Sequence, residues 1–528
     1  MRRKRKHKKT HLLRLLLPKL PLFLLILAQF LGFLFLFIWI ARISATANLG
    51  YALILLLFVS DLACCLYIFT SKSASPFKLT WILIVVGLPI AGLVMYFFFA
   101  NKMTKWTAKK SKARWGNVLE RKPSDPKVIL ELERANPDAS GIAKLIETAH
   151  GDRICLNSDA KYFARVEDAW PIILDEIKKA KHFIFVEFFI IHPGSEFYDT
   201  VLTELQKKAA EGVDVRFIYD DFGSLRHAPM LYWRELKARG IKGECFYPIR
   251  PLIDVRMNNR DHRKILDIDG HTCFTGGFNL SDEYVNIEKP FGKWKDNVIM
   301  VRGEAVDNFT RMFLENWVSS FHPDEKDTVG EYLNSPYIDE IGGFPKGGFI
   351  QPYGDIPFDG FNMGEKIYLA MAGDAKKSFD VVTPYLILDE VTENALICAS
   401  ERGVKVRILV PKIPDKRAVF NLTRSYYEKL LEAGVEIYEY TPGFVHEKMA
   451  ICDGRMASVG SINLDYRALY LDLQNGVFLA DDPSIDDMSS DFEHAISRSD
   501  RITIETFRRW KNRNRFYWAL LRVISPML

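Results

Sequence analysis

Two segments of the chain carry the same reactive residue types at the same spacing. Each has a His, a Lys two residues later, an Asp five residues after the Lys, and then a Gly. An Asn lies seventeen residues after the His in both segments. The two sets are His262, Lys264, Asp269 and Asn279, and His446, Lys448, Asp453 and Asn463. Chance is a poor explanation for two copies with equal internal spacing, so the repeat indicates a duplicated site.

The spacing places the His and the Lys of each segment on one face of a strand. Side chains at positions i and i+2 of a strand project from the same face. The apolar residues after each Lys, followed by Asp-Gly, are typical of a strand that ends in a turn. The next apolar segment then returns and brings the Asn near the same end. A single pair of this kind is usually a solvated strand edge, but the duplication favours chemistry.

These residue types suit the transfer of a phosphoryl group. Ammonium and amide donors stabilise the charge on phosphoryl oxygens. An imidazole can act as a nucleophile, an acid or a base near neutral pH. Two imidazoles are enough for one to attack phosphorus while the other protonates the leaving oxygen.

Helices and strands alternate around each segment. Apolar strands at 183–190 and 378–383 each follow a predicted helix, and a second helix leads from each to another strand. This alternation predicts an α/β fold of two repeats with buried sheets, a pseudo-twofold catalytic unit whose site lies where the repeats meet. The predicted boundaries are a basic cytoplasmic tail 1–19, a membrane region 20–100, a basic juxtamembrane segment 101–135, a first repeat 136–325, a Gly- and Pro-rich linker 326–356, a second repeat 357–507 and a basic aromatic tail 508–528.

Three apolar segments precede the first repeat, at 22–41, 51–69 and 79–100. At ~1.5 Å per residue, a helix of about 20 residues spans the ~30 Å hydrocarbon layer of a bilayer. A secretory signal would be a single shorter segment, and the aromatic residues at the segment ends are typical of membrane interfaces. We therefore predict two or three N-terminal transmembrane helices and a multi-pass membrane protein.

Positive charge is concentrated beside the apolar segments and at the C-terminus. Residues 1–19 contain nine Lys and Arg, and residues 101–116 and 508–528 contain six each, with no acid in any of them. Because the whole chain carries only +5, the rest of it is net negative. This distribution fits an anionic phospholipid membrane better than nucleic acid. The positive-inside rule would hold both N-terminal basic segments in the cytoplasm, although three full crossings would separate them; we expect a cytoplasmic catalytic region.

No metal or cofactor is indicated by the sequence. The seven cysteines are scattered and include no Cys-x-x-Cys pair, so neither a disulfide framework nor a zinc site is predicted. The duplicated segments also lack the carboxylate and His spacing of a metal site. We expect metal-independent chemistry.

The duplicated His-x-Lys-x4-Asp motif resembles the double signature of the phospholipase D superfamily. Within that superfamily, residues 259–264 (Asn-Arg-Asp-His-Arg-Lys) and 276–279 (Gly-Gly-Phe-Asn) are similar to bacterial cardiolipin synthases. The resemblance covers nearly the whole chain. It implies two phospholipase D-like repeats and a phosphatidyltransferase that joins two phosphatidylglycerol molecules through a phosphohistidine intermediate and releases glycerol.

The resemblance also implies a role for each residue of the motifs. His262 is expected to be the nucleophile and His446 the acid and base, a choice that the spacing itself does not make. The residues expected to hold the phosphoryl oxygens are Lys264, Lys448, Asn279 and Asn463. Asp269 and Asp453 belong to the catalytic motifs, but we expect them to stabilise the local turn rather than touch substrate.

Two further residues are expected to orient the imidazoles. Asp296 stands where the superfamily has an acid after the first motif, whereas Gln474 stands in the second half where Glu is usual. A Gln can hydrogen-bond an imidazole but cannot stabilise its cationic form by charge, which bears on the basicity of His446.

Other functions use the same residues. A phospholipase D-type hydrolase, or a transphosphatidylase with phosphatidylethanolamine or another alcohol as acceptor, would need the same His pair. A nuclease is disfavoured by the apolar segments and the net negative remainder. A non-catalytic lipid-binding membrane scaffold is favoured only by Gln474, because both His and both Lys are present.

Overall fold

The computed structural model describes residues 47–71, 73–99, 119, 121–249, 259–341, 347–357 and 359–527, together with residues 27, 31, 32, 35 and 38. The chain divides into two units. One comprises residues 1–113, 248–258 and 523–528, and the other comprises residues 114–247 and 259–522.

The first unit contains three described helices, α1 (Ala47–Phe69), α2 (Ser75–Gly87) and α3 (Pro89–Phe99). A Cβ on Gly92 would lie 2.5 Å from the carbonyl oxygen of Ile84, so the tight approach of α3 to α2 requires Gly there. Within the described residues, none of the helices has both the length and the apolar character that crossing a bilayer requires. The predicted segment 22–41 lies mostly outside the described residues, as do the basic segments 1–19 and 101–116.

The second unit is built from alternating helices and strands. Its helices are α4 (Pro126–Ala135), α5 (Pro137–His150), α6 (Val166–Lys179), α7 (Glu196–Ala210), α8 (Tyr232–Ala238), α9 (Val306–Ser320), α10 (Met363–Asp374), α11 (Glu390–Glu401), α12 (Arg417–Ser425), α13 (Tyr427–Glu432), α14 (Tyr466–Tyr470), α15 (Ser484–Ser497) and α16 (Ile504–Ile524). Its strands are β1 (Ser158–Phe163), β2 (Phe183–Phe188), β3 (Asp214–Asp220), β4 (Lys242–Phe246), β5 (Lys264–Ile268), β6 (Thr272–Gly276), β7 (Lys293–Lys295), β8 (Val298–Gly303), β9 (Phe349–Asp355), β10 (Ser378–Val382), β11 (Lys405–Pro411), β12 (Glu436–Tyr440), β13 (Gly443–Val445), β14 (Met449–Cys452), β15 (Met456–Gly460), β16 (Gln474–Ala480) and β17 (Ser499–Ile502).

The strands form two large sheets with the same internal order. The first sheet runs β1-β8-β6-β5-β2-β3-β4, and the second runs β17-β12-β11-β10-β14-β15-β16-β9. In each sheet three strands joined through helices are parallel (β2-β3-β4 and β10-β11-β12), and the remaining pairs are antiparallel. The predicted α/β fold with two repeats is confirmed. Strand β9 lies in the segment that the sequence assigns to the linker, yet it pairs with β16 as an edge of the second sheet.

Apolar strands and helix faces bury the core of each sheet. The strands β2, β5, β14 and β16 are buried at every position because both of their faces are covered. Helix α9 is buried along nearly its whole length and packs against strands of both sheets. Its position between the repeats fixes the two sheets relative to each other within the second unit.

The C-terminal basic segment is part of helix α16. Trp518 and Leu521 are buried, and the Trp518 indole N–H donates to Asn421 of α12 at 3.2 Å. The Lys511 ammonium pairs with Glu428 of α13 at 2.5 Å. One face of the helix is therefore packed on the second repeat, while Phe516 on another face is 86 % exposed.

Two Asp side chains anchor the turns that end β5 and β14. Asp269 has a positive φ of 52°, and its carboxylate accepts hydrogen bonds of 2.7–2.9 Å from three consecutive backbone N–H groups at 181–183, where β2 begins. Asp453, with a φ of 55°, does the same for the N–H groups at 376–378, where β10 begins. Both lie at the opposite end of the strand from the motif Lys, so their inclusion with the catalytic residues is corrected to a structural role.

We expect Asp269→Ala to lower the free energy of unfolding by about 2–4 kcal/mol, since three backbone N–H groups lose their acceptor and Ala disfavours a positive φ. Denaturant unfolding of the purified full chain measures the change. The matched control is Asp327→Ala, at an exposed carboxylate, which should change stability by less than about 0.5 kcal/mol. Equal stability of the two variants would contradict the anchoring role.

Candidate active site

Each motif His forms a backbone hydrogen bond to the other repeat. The N–H of His262 donates to the carbonyl of Leu473 at 2.9 Å, and the N–H of His446 donates to the carbonyl of Lys295 at 2.8 Å. The short strand β13 pairs in parallel with β7, and Asp261 forms the equivalent isolated bridge with Leu473. These backbone contacts between the repeats bring both His residues to one place.

The ring partner of each His is also supplied by the other repeat. Nδ1 of His446 lies 2.7 Å from Oδ2 of Asp296, and Nδ1 of His262 lies 2.9 Å from Oε1 of Gln474. Asp296 directly follows Lys295, and Gln474 directly follows Leu473, the two residues whose carbonyls accept the backbone bonds. The backbone bond and the ring contact of each His therefore go to neighbouring residues of the other repeat. The expectation that Gln474 affects His446 is therefore wrong: Gln474 contacts His262, and His446 has the carboxylate.

The two orienting residues have different surroundings at equivalent positions. A Cβ on Gly277 would lie 2.0 Å from Oδ1 of Asp296, so this position must be Gly for the carboxylate to fit. The equivalent residue of the second motif is Ser461, whose hydroxyl donates to Oε1 of Gln474 at 2.6 Å. The Gln474 amide oxygen thus accepts from both a hydroxyl and an imidazole, which fixes its orientation.

The two motif Lys side chains are fully enclosed. The Lys264 ammonium donates to the carbonyl of His262 at 2.5 Å, and the Lys448 ammonium donates to the carbonyl of His446. Burial and the neighbouring Lys448 charge hold the pKa of Lys264 well below its usual range. Burial lowers the pKa of Lys448 to about 7, against the opposing effect of the Asp296 carboxylate.

The two imidazoles are held neutral by the same environment. Burial, followed by the ammonium groups of Lys264 and Lys448, keeps the pKa of His262 well below its usual range. Burial and Lys448 lower the pKa of His446 to about 4, while Asp296 acts in the opposite direction. These surroundings disfavour positive charge, and an anionic group between the Lys side chains would oppose that effect.

The two motif Asn side chains are held by local hydrogen bonds. Oδ1 of Asn279 accepts from the Ile190 N–H at 3.0 Å, and its Nδ2 donates to the Tyr284 hydroxyl at 2.7 Å. Asn463 hydrogen-bonds Asp465, and in the described residues its buried Oδ1 has no partner. The Asn279 amide has a second N–H that could donate to a phosphate oxygen. The binding of phosphate by Asn279 and Asn463 stays a prediction.

Aromatic rings that the motif analysis did not include enclose both imidazoles. Phe189, after β2, lies 4.9 Å from the His262 ring between centroids. Trp294 and Tyr284 lie 5.3 and 5.4 Å from the His446 ring. Trp294 stands two residues before Asp296, which is a usable sequence signal, whereas Phe189 and Tyr284 are placed only by the fold.

In the part of the chain that the structure describes, no cluster of three or more His, Cys, Asp or Glu side chains could hold a metal ion. The groups gathered at the site are two imidazoles, two ammonium groups, a carboxylate and three amides. This set can provide a nucleophile, an acid or base, and positive charge for a phosphoryl group.

Comparison with known families matches the catalytic region to the cardiolipin synthase, phospholipase D-like domain, at residues 173–317 and 368–496. Both motifs lie inside the matched residues. The chain belongs to the cardiolipin synthase family of phospholipase D-like proteins. Residues 59–101 match a second family, described as the N-terminal region of phospholipase D nucleases.

Several related proteins align with most of the chain. A cardiolipin synthase of Geobacillus kaustophilus is 34 % identical over 452 residues, covering 85 % of this chain and 88 % of that protein. A cardiolipin synthase 2 of Bacillus anthracis is 33 % identical over 456 residues, covering 85 % and 86 %. An uncharacterised Streptococcus mutans protein is 34 % identical over 468 residues, covering 88 % and 99 %.

A solved structure shares the fold. The phosphatidylserine synthase of Haemophilus influenzae superposes with a TM-score of 0.52 at 15 % identity, over 70 % of this chain and 95 % of that one. At this identity the likeness supports the two-repeat architecture alone.

We expect Gln474→Glu to raise the pKa of His262 by about 1–3, because a carboxylate on Nδ1 stabilises the imidazolium while the Ser461 hydroxyl keeps its acceptor. Titration of the imidazole by NMR measures this shift. Gln206→Glu, at an exposed site on α7, is the matched control and should leave His262 unchanged. An unchanged pKa in Gln474→Glu would contradict the crossed pairing.

Proposed function

We propose that the protein is a cardiolipin synthase that transfers a phosphatidyl group from one phosphatidylglycerol to another, with cardiolipin and glycerol as products. One observation carries the proposal beyond family membership. Two imidazoles with different ring partners meet in one buried site beside two Lys. A two-step transfer needs this combination, because a nucleophile must attack phosphorus while a separate proton donor protonates the oxygen that leaves it.

His262 is the proposed nucleophile. Its Nδ1–H is fixed by the uncharged Gln474, which leaves the Nε2 lone pair free without favouring protonation. Nε2 attacks the phosphorus of the first phosphatidylglycerol, forming a P–N bond as the bond to the glycerol oxygen breaks. A lowered pKa keeps this imidazole in the unprotonated form that attack requires.

His446 is the proposed acid and base. Its hydrogen bond to the Asp296 carboxylate stabilises an imidazolium. A group that alternately donates and accepts a proton needs this stabilisation of its protonated form. His446 donates a proton to the departing glycerol oxygen. It then removes the proton from the hydroxyl of a second phosphatidylglycerol, whose oxygen attacks phosphorus and breaks the P–N bond.

Lys264 and Lys448, with Asn279 and Asn463, are the proposed ligands of the phosphoryl oxygens. Burial lowers the pKa of both Lys and both His, and the neighbouring Lys charges lower it further for Lys264, His262 and His446. A negative phosphodiester opposes both effects. Substrate binding thus raises the pKa of His446 toward the range in which it can donate a proton. The site becomes competent for acid catalysis when phosphate is present.

We also propose that the enzyme works at the bacterial cell membrane as a multi-pass protein, with the catalytic repeats in the cytoplasm. Support comes from the three apolar N-terminal segments and the basic segments beside them. Phosphatidylglycerol and anionic phospholipids are the proposed partners, and no nucleic acid is involved.

The test uses membranes containing the protein, supplied with phosphatidylglycerol labelled in its head group. We expect cardiolipin and free glycerol in equal amounts from the wild type and neither from His262→Ala. The control is Lys405→Gln, at an exposed residue, which should retain activity.

Three outcomes would point elsewhere. Glycerol with phosphatidic acid and no cardiolipin would identify a hydrolase, and product with another added alcohol alone would identify a different transphosphatidylase. No glycerol from a folded, lipid-binding protein would leave the non-catalytic scaffold.

Proteolysis of membrane vesicles tests on which side of the membrane the catalytic repeats lie. Trypsin should abolish the activity in inside-out vesicles and spare it in intact spheroplasts. The reverse result would place the repeats outside the cytoplasm.

A further inference from the structure

Helix α16 has two opposite faces with different surroundings. One face packs on the second repeat, where the buried Trp518 donates its indole N–H to Asn421 at 3.2 Å. On the opposite face, Phe516 and Leu520 are 86 % and 55 % exposed. The second repeat therefore covers one side of the helix and leaves the other available to a partner.

The exposed side chains form a continuous stripe along the helix. In a helix of 3.6 residues per turn they fall within about 100° of the circumference. The buried Trp518 and Leu521 lie on the opposite side. The members of this exposed stripe, in chain order, are Arg509, Arg513, Phe516, Leu520, Val523 and Ile524. The stripe thus begins with bases and continues with apolar side chains.

The two Arg of the exposed stripe have no carboxylate partner. Elsewhere on α16, the Lys511 ammonium pairs with Glu428 of the second repeat. In the part of the chain that the structure describes, no Asp or Glu pairs with Arg509 or Arg513. Residues 508–528 also contain no acid. The basic half of the stripe therefore carries uncompensated positive charge.

The C-terminal end of α16 belongs to the unit that contains the N-terminal apolar helices. Residues 523–528 are part of that first unit. There the buried hydroxyl of Thr80, on α2, donates to the carbonyl of Val523 at 2.8 Å. Helix α2 itself exposes the apolar side chains of Leu79 and Val86. The apolar half of the stripe thus ends in a unit that also exposes apolar surface.

An anionic phospholipid bilayer matches both halves of the exposed stripe. Its head groups attract Arg, and its acyl region accepts apolar side chains. Single exposed apolar residues are ordinary on protein surfaces, but four in one stripe beside uncompensated Arg are typical of a helix in a membrane interface. A second copy of the chain, docked through the same face, would add positive charge and no acid.

We propose that the exposed stripe of α16 docks on the surface of an anionic phospholipid bilayer. Arg509 and Arg513 lie at the head groups, and Phe516, Leu520 and Val523 enter the outer acyl region. Because the opposite face of the helix is packed on α12 and α13, docking holds the second repeat against the membrane. The docking involves no residue of the candidate active site, so it holds whichever reaction that site performs.

Photo-crosslinking of the full chain tests what covers the exposed stripe. The chain is reconstituted in nanodiscs of phosphatidylcholine, with or without phosphatidylglycerol. Both kinds contain a trace of phosphatidylcholine with a diazirine in one acyl chain, a probe that is not the proposed substrate. Trypsin cleaves after Arg515 and Arg522, so mass spectrometry of peptides 516–522 and 523–528 locates the lipid adducts.

The adducts should follow the two faces of the helix. We expect them on Phe516, Leu520 and Val523, and not on Trp518 or Leu521, which the second repeat covers. The same pattern should appear in His262→Ala, which separates docking from the proposed reaction.

The yield of adducts should also depend on charge. Phosphatidylglycerol should raise the yield, and Arg509→Gln with Arg513→Gln should remove most of that increase. Each base near an anionic surface changes the docking constant about fivefold. The control is Lys207→Gln, at an exposed residue of α7, which should leave the yield unchanged.

The apolar half is tested by Phe516→Ser combined with Leu520→Ser. This variant should lower the adducts on peptide 523–528 at least about threefold in both kinds of nanodisc, because two apolar side chains no longer enter the acyl region. Val391→Ser, at an exposed apolar residue of α11, is the matched control and should have no effect.

The proposal fails if neither peptide carries lipid adducts in nanodiscs that contain phosphatidylglycerol. It also fails if the yield is equal in the two kinds of nanodisc, or if the double Arg variant and the wild type give the same yield.

Discussion

The structure depends on a crossed set of hydrogen bonds between the repeats. Each motif His donates its backbone N–H to the other repeat and receives its ring partner from the residue that follows the accepting carbonyl. The residue that accepts the backbone bond and the residue that contacts the ring are neighbours in the sequence. The pairing of the repeats therefore also sets the orientation of the imidazoles. Neither repeat alone contains a complete His with its partner, so the site exists only where both meet.

The second constraint is electrostatic. Two Lys and two His are buried together, and burial lowers the pKa of all four. The neighbouring Lys charges lower it further for Lys264 and both His. Charged groups without compensation are costly in a protein interior, and functional sites are where such costs are usually found. In the proposed reaction, a phosphodiester between the Lys side chains would supply the opposing negative charge. The charges of the site therefore favour an anionic ligand.

Much of this could be predicted from the sequence, because the motif spacing is local. The His-x-Lys spacing and the alternating elements predict two α/β repeats, and Asp-Gly after each strand predicts the turns that Asp269 and Asp453 anchor. The partner of each His could not be predicted, because it depends on which strands of different repeats become neighbours. The same reason applies to β9, which joins the second sheet from the linker segment, and to the aromatic ring of Phe189.

The central claim is that one imidazole of a crossed pair attacks phosphorus while the other transfers protons. Its most direct test is to quench the enzyme during turnover of 32P-phosphatidylglycerol and to map the labelled residue by peptide mass spectrometry. The account predicts that the label is on His262, as a phosphoramidate that is labile in acid and stable in base. Where glycerol can still depart from His446→Ala, the labelled fraction should be larger in that variant. No covalent adduct, or an adduct on His446, would contradict it.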